Sequence, residues 1–279
     1  MLLAIVSCSE PAPTHWVGTW AAARQLVEPH NNPPAPGLEG NSFRQIVQVS
    51  IGGETARLRL SNEFSTDSTE ILAIEMAHAM TEGASYEIDE STTVNLTFDG
   101  KPNVTMAAGA TATSDPIKFP MNPRQSVAIT IHYGHASSTS VTGHPSSRTT
   151  SYLAEGNTCD FSNAIRTEHW YNIRGIDVLA SLETGAVAIL GNSITDGRGS
   201  TTNNQNRWPD ILSDRLLANE ATKNVAVLNM GIGGNCMLGG GLGPIGRVRY
   251  KADLLEQPGV KWIILFEAIN DLGWARDGV

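Results

Sequence analysis

Ala186-Val187-Ala188-Ile189-Leu190, running straight into Gly191-Asn192-Ser193-Ile194-Thr195-Asp196-Gly197, is the stretch on which the reading of this 279-residue chain turns. Five consecutive apolar residues closed by glycine read as a strand buried on both faces, and the small polar residues after it as the turn at its carboxyl end. Two similar runs follow: Val225 to Asn229 enters Asn229-Met230-Gly231-Ile232-Gly233-Gly234-Asn235, and Trp262 to Phe266 enters Glu267-Ala268-Ile269-Asn270-Asp271. Between the first two runs, Trp208 to Asn219 carries Ile211, Leu212, Leu216 and Leu217 on one side and Pro209 in its first turn, the pattern of an amphipathic helix. A shorter helix is expected around Val248 to Leu255. Strand, helix, strand, helix, strand predicts an α/β domain over 175–279, opening as a doubly wound parallel sheet.

Upstream the pattern changes to alternation. Val47, Val49 and Ile51 alternate with Gln48 and Ser50; after Gly52-Gly53, Ala56, Leu58 and Leu60 alternate with Arg57 and Arg59, which predicts a hairpin with a turn tolerant of positive φ. Val94, Leu96 and Phe98 before Asp99-Gly100, then Val104 and Met106, form a second alternating set, and Val127, Ile129 and Ile131 a third. Short strands at this spacing predict a β-sandwich, jelly-roll-like, over 15–174.

Composition bounds the function. Apolar residues make up 41% and charged residues 17%, so both regions can bury cores. With 19 basic and 28 acidic side chains the net charge is −9, and no Lys/Arg run exists, which argues against a nucleic-acid partner. No apolar run is long enough to span a bilayer. Cys8 closes Ile5-Val6-Ser7-Cys8 ahead of Ser-Glu-Pro-Ala-Pro, which resembles a bacterial lipobox; residues 1–14 are therefore read as a signal remnant and tether. That resemblance implies an exported, periplasmic or cell-surface lipoprotein whose only membrane attachment is a lipid at Cys8.

The chemistry lies at the strand ends. In an open α/β sheet, ligands bind at the carboxyl edge, so a serine, a glycine loop and an asparagine converge there from three places in sequence. A hydroxyl nucleophile, an uncovered backbone N–H and a side-chain amide outline an acyl-transfer site with an oxyanion hole. These blocks resemble the SGNH (GDSL-type) hydrolases, whose pattern is G-D-S-[IL], a glycine block, G-x-N-D and a late D-x-x-H. The strings GNSITDGRGST, RWPDIL and VLNMGIGGN, with Trp16-Val17-Gly18-Thr19-Trp20 near the start, resemble a subgroup in which a β-sandwich precedes the hydrolase domain. The resemblance implies a flavodoxin-like SGNH domain with Ser193 as nucleophile. It also implies an oxyanion held by the Ser193 N–H, the Gly234 N–H and the Asn270 side chain. No cofactor or metal is implied, and the expected substrate is a small-molecule or carbohydrate ester.

Three departures from the pattern stand out. Asn192 replaces the usual Asp, and Ala268 the Gly of the third block. No D-x-x-H occurs, since His15, His30, His78, His132, His135, His144 and His169 all precede Ser193. The chain is accordingly read as an incomplete hydrolase domain lacking its catalytic Asp and His, inactive or very weak, since removing the base lowers serine-hydrolase turnover roughly 10⁶-fold. The alternative is a surface glycan- or protein-binding module with a degenerate hydrolase domain.

Several plainer expectations accompany this reading. Asp196 is expected to pair with Arg198, and His132 and His135 to be loop histidines rather than ligands. Trp16, Trp20, Trp170 and Tyr171 are assigned to packing rather than a sugar platform. Cys159 and Cys236 are left as thiols more readily than a disulfide. The G-x-G-x-x-G at Gly241, Gly243 and Gly246 is set aside as a dinucleotide motif, because it lies well past the strand end and contains Pro244.

Overall fold

The computed structural model describes residues 13–274; Cys8 and its lipobox-like string lie outside the described residues. Alternating residues build the N-terminal part as two antiparallel sheets packed face to face. One sheet runs Thr14–Ala21, Ile173–Ser181, Gly53–Ser61, Thr111–Thr113, with Ile117–Met121 also on Gly53–Ser61. The other runs Ile165–Thr167, Ser151–Ala154, Ser42–Gln48, Ser126–Tyr133, Thr69–Ala79, Ile88–Asn95, with Val104–Met106 also on Thr69–Ala79. Phe43, Val47, Ile129 and Ile131 from the second sheet meet Leu58, Leu60, Ile176 and Val178 from the first, all fully buried or nearly so. The opposite face of the second sheet carries Ser42, Arg44, Thr130, His132 and Glu75, as the two-residue period requires.

The expected hairpin at Gly52-Gly53 is not one. Ser42–Gln48 and Gly53–Ser61 lie in different sheets, and the chain between them crosses from one to the other. Both alternating sets do point into the same core, but from opposite sides. Glycine is needed at 52 for room rather than for positive φ: a Cβ there would run into the Met121 carbonyl oxygen. The expected boundary between 174 and 175 is displaced as well. It falls inside Ile173–Ser181, whose pairing with Thr14–Ala21 and Gly53–Ser61 keeps it in the sandwich.

After that strand the chain forms three parallel strands with Gly185–Gly191 in the centre, flanked by Val225–Gly231 and Val260–Phe266. One face, through Val187, Ile189 and Val227, packs under the helix Trp208–Leu217. The other face does not receive the helical layer of a doubly wound sheet. Ala186, Ala188, Leu190, Leu228 and Met230 join the core of the sandwich, so the two parts share one apolar interior. Two backbone links and one backbone-to-side-chain hydrogen bond fix this docking: Gly18 N donates to Pro258 O (2.9 Å), Ala22 bridges to Asn229, and Val227 N donates to Ser50 Oγ (3.0 Å). Among the described residues Val260–Phe266 pairs on one side only, and Trp262, Leu265 and Phe266 remain about half exposed.

Candidate active site

Each parallel strand delivers one component to the same edge. The central strand ends at Gly191; Asn192 Oδ1 accepts the Ile194 N–H (3.0 Å), and Ser193 is the first residue of the helical turn Ser193–Asp196. An Asp at 192 offers the same cap, so the Asn keeps the turn. The turn lies directly on the second strand end, where a Cβ on Gly231 would overlap the backbone of Asp196. Beyond it Gly234 adopts φ +71°, and Asn235 ties down the rest of the loop, donating through Nδ2 to Leu242 O (2.8 Å) and Pro244 O (2.9 Å). The third strand end closes the group: Asn270 Nδ2 donates to Asn235 O (2.7 Å), and the Asp271 carboxylate accepts the Met237 and Leu238 amides (2.7 and 2.8 Å). Burial opposes ionisation of Asp271, but these amides outweigh it and hold its carboxyl below the ordinary range.

Arg249, which sequence reasoning did not single out, holds the three strand ends together. Its guanidinium is buried, and every one of its five N–H groups has an acceptor: Asn235 Oδ1 (3.0 Å), Met230 O (2.7 Å), Asp253 Oδ2 (2.8 Å), Gly191 O (2.9 Å) and Glu267 Oε1 (3.4 Å). Met230, Gly191 and Glu267 lie at the ends of the second, first and third parallel strands. Burial pushes the Glu267 carboxyl up, and Arg249 offsets part of that rise. Asp253 also receives Arg24 of the sandwich (3.4 Å), so the buried charge network crosses between the two parts. One of two arginines in the short helix Gly246–Tyr250 carries no sequence signal for such a role; the signal is the count of satisfied donors, visible only in three dimensions.

Ser193, Gly234 and Asn270 line one cavity of about 400 Å³. Among the described residues no protein acceptor takes the Ser193 or Gly234 amide hydrogen. His144 and Asp196 share the cavity, and the expected Asp196–Arg198 pair is replaced by Asp196 with His144, Nε2 to Oδ1 2.9 Å, both side chains almost fully buried. His144 comes from the small sheet of Gln25–Leu26, Thr142–Pro145 and His169–Tyr171, donates through Nδ1 to Ala23 O (2.8 Å), and stacks on Trp170. Asp196 cannot turn toward Arg198 without abandoning a buried partner. Arg148 and Arg198 also line the cavity and form no ion pair among the described residues. Arg148 sits at φ +53° with its Nε buried and unpartnered.

The serine and two potential hydrogen-bond donors thus converge at the edge of a parallel sheet on a polar cavity. Residues 189–279 match the GDSL-like Lipase/Acylhydrolase family. The match begins in the central parallel strand, so the matched region contains all three strand ends and leaves out the sandwich. It supports a hydrolase of the esterase and lipase kind. No curated protein matches the chain.

The other residues noted in the sequence fall elsewhere. Trp20, Trp170 and Tyr171 are buried, with Trp20 edge-on to Trp170 at 5.1 Å, and Trp16 lies under Arg57. Cys159 and Cys236 are free thiols. His132 is a buried strand residue rather than a loop histidine, whereas His135 is exposed between Glu39 and Asp67. Ala268, where the family resemblance has glycine, takes φ +82°.

Proposed function

We propose that this chain carries the nucleophile and oxyanion-binding part of a serine ester hydrolase, with a β-sandwich packed in front of the hydrolase domain. The convergence of Ser193, the Gly234 N–H and the Asn270 amide on one cavity at three strand ends carries the reading. The Ser193 Oγ attacks the acyl carbonyl carbon and a C–O bond forms. The charge on the carbonyl oxygen is met by the Ser193 N–H, the Gly234 N–H and Asn270 Nδ2, and collapse expels the alcohol to leave an acyl-enzyme that water hydrolyses. Asn270 Nδ2 has a second hydrogen besides the one given to Asn235 O.

The Ser193 proton needs a base. His144 has both ring nitrogens engaged, so it braces the turn that carries Ser193; His30 also lines the cavity. The family resemblance places the base in a D-x-x-H block, which is not among the described residues. The polar lining, including Gln25, Asn31, Arg148 and Arg198, favours a hydrophilic ester, and a carbohydrate acyl or acetyl ester is the substrate class proposed. Export with a lipid at Cys8 is proposed on the lipobox-like string alone.

A serine-directed fluorophosphonate tests the reading. The expected result is covalent labelling that disappears in Ser193→Ala and slows at least tenfold in Asn270→Ala. Labelling unchanged in Ser193→Ala, or none with intact folded protein at long exposure, overturns it.

A further inference from the structure

The outer face of the larger sandwich sheet, remote in sequence from the acylhydrolase region, carries a second constellation. Glu75 lies on Thr69–Ala79, His132 on the adjacent Ser126–Tyr133, and Cys159 on the loop that follows Ser151–Ala154. Thr130 is directly opposite Glu75, so His132 is its diagonal neighbour on the same face. One ligand atom from each of the three lies within 4.8 Å of the others. A cavity of about 660 Å³ opens over Glu75 and Cys159.

We propose that Glu75, His132 and Cys159 form a binding site for a thiophilic divalent cation of the zinc type. The site is open to solvent at its fourth position and lies outside the ester-hydrolase cavity.

The hydrogen-bond inventory prepares the histidine for that role. Ser42 Oγ has one hydrogen, and its partners are Gly156 O (2.8 Å), the Thr158 N–H (2.9 Å) and His132 Nδ1 (2.8 Å). A carbonyl cannot donate, so the hydroxyl hydrogen goes to Gly156 O. Nδ1 must then be the protonated nitrogen, donating to Ser42, and the neutral ring presents a bare Nε2 lone pair. This is the arrangement in which an outer partner fixes the tautomer of a metal-binding histidine. Ser42 also holds both sides of the loop leading to Cys159, and Asn41 Oδ1 takes the Gly156 N–H (2.8 Å). The same hydroxyl therefore orients one ligand and anchors the loop of another.

Distances and charge agree. Tetrahedral zinc with bonds of about 2.0–2.3 Å needs donor atoms about 3.3–3.8 Å apart. Cys159 Sγ is already 3.6 Å from Glu75 Oε2, and Cys159 is an exposed loop residue. Glu75, Glu87, Glu90 and Asp160 line the cavity with Arg44 as its one basic side chain, so the site carries an excess of negative charge that a dication would partly balance. Without a cation, burial and the Glu75 carboxylate push the Cys159 thiol up. A bound cation reverses that preference, because metal-coordinating thiols are deprotonated.

The test uses the full chain, reduced with a phosphine, and cobalt(II) as a spectroscopic stand-in for zinc. The expected result is one equivalent of cobalt giving thiolate-to-metal charge-transfer absorption, displaced by zinc. Cys159→Ser should abolish the charge-transfer band, and Glu75→Gln should weaken binding at least tenfold. His132→Gln should do the same, and as Cys159 is exposed its serine variant remains informative if the His132 variant does not fold. Absence of the band at saturating cobalt overturns the proposal. So does a band that survives Cys159→Ser, which would assign it to another cysteine, or binding lost only in His135→Ala, which would place the cation at the exposed Glu39–His135–Asp67 cluster.

Discussion

Replacing Arg249 by lysine isolates what the guanidinium does beyond its charge. Lysine keeps the positive charge between Asp253 and Glu267, whose side chains are each 3% exposed, but has three donors where Arg249 uses five. At least two of Asn235 Oδ1, Met230 O, Gly191 O, Asp253 and Glu267 are left without that partner. At about 1–3 kcal/mol for each buried acceptor unsatisfied, the expected loss is about 2–6 kcal/mol. That is a large share of the roughly 5–15 kcal/mol by which folded domains are stable. With a slope of roughly 2–3 kcal/mol per molar, the urea midpoint falls by about 1–3 M. The control is Arg247→Lys, an exposed position on the same helix, expected to stay within about 0.5 kcal/mol. Because Arg249 joins three strand ends, labelling of Ser193 by the fluorophosphonate should slow under conditions where Arg249→Lys is still folded. A loss below about 1 kcal/mol, equal to that of the control, would refute the assignment of Arg249 as the tie between the strand ends.

Further expectations concern single contacts. Ala268→Gly relieves a left-handed backbone at an L-residue and should stabilise by about 1 kcal/mol, read from the urea midpoint; a loss would mean the Ala268 side chain contributes more than its strain costs. In a double-mutant cycle, His144→Phe and Asp196→Asn should couple by about 1.5–3 kcal/mol, the range for a hydrogen bond to a charged group; additive effects would dissolve the pair. Burial raises the Glu63 carboxyl, but Arg24 and Arg174 outweigh it, so its net shift is downward. Its stabilisation is present above the unfolded value of about 4.3 and lost as pH falls through the lower folded value, and Glu63→Gln should flatten that acid limb of the stability curve. His135 is raised by hydrogen bonds to Glu39 and Asp67, so its contribution is present below about 6.5 and fades as pH rises through the folded value. An NMR titration of its ring should show the upward shift, and Glu39→Gln with Asp67→Asn should remove it.

Much of the architecture was legible because short-range patterns record burial. Three apolar runs closed by polar turns became Gly185–Gly191, Val225–Gly231 and Val260–Phe266, and the stripe from Trp208 became a helix over Val187, Ile189 and Val227. Alternation identified Ser126–Tyr133 and the inward faces of Ser42–Gln48 and Gly53–Ser61. It misassigned the last two as a hairpin because a two-residue period reports which side of a strand is buried, not which strand lies beside it. The same limit displaced the domain boundary, since Ile173–Ser181 is held in the sandwich by partners more than 100 residues earlier in the chain.

For the candidate site, the sequence by itself marked the components proposed here: a serine, a glycine loop and an asparagine, each at the carboxyl end of an apolar run. Local composition suffices there, because strand ends and turns are specified by neighbours a few positions away. The partners were decided only in three dimensions. Asp196 faces His144 from 52 positions upstream rather than Arg198, Arg249 collects the ends of three strands, and Ser42 sets the tautomer of His132 from the neighbouring strand. Each is a buried polar group whose partner is chosen by the need to satisfy every donor and acceptor removed from water. Sequence distance has no bearing on that requirement, so the elements could be read along the chain while the contacts that position them could not.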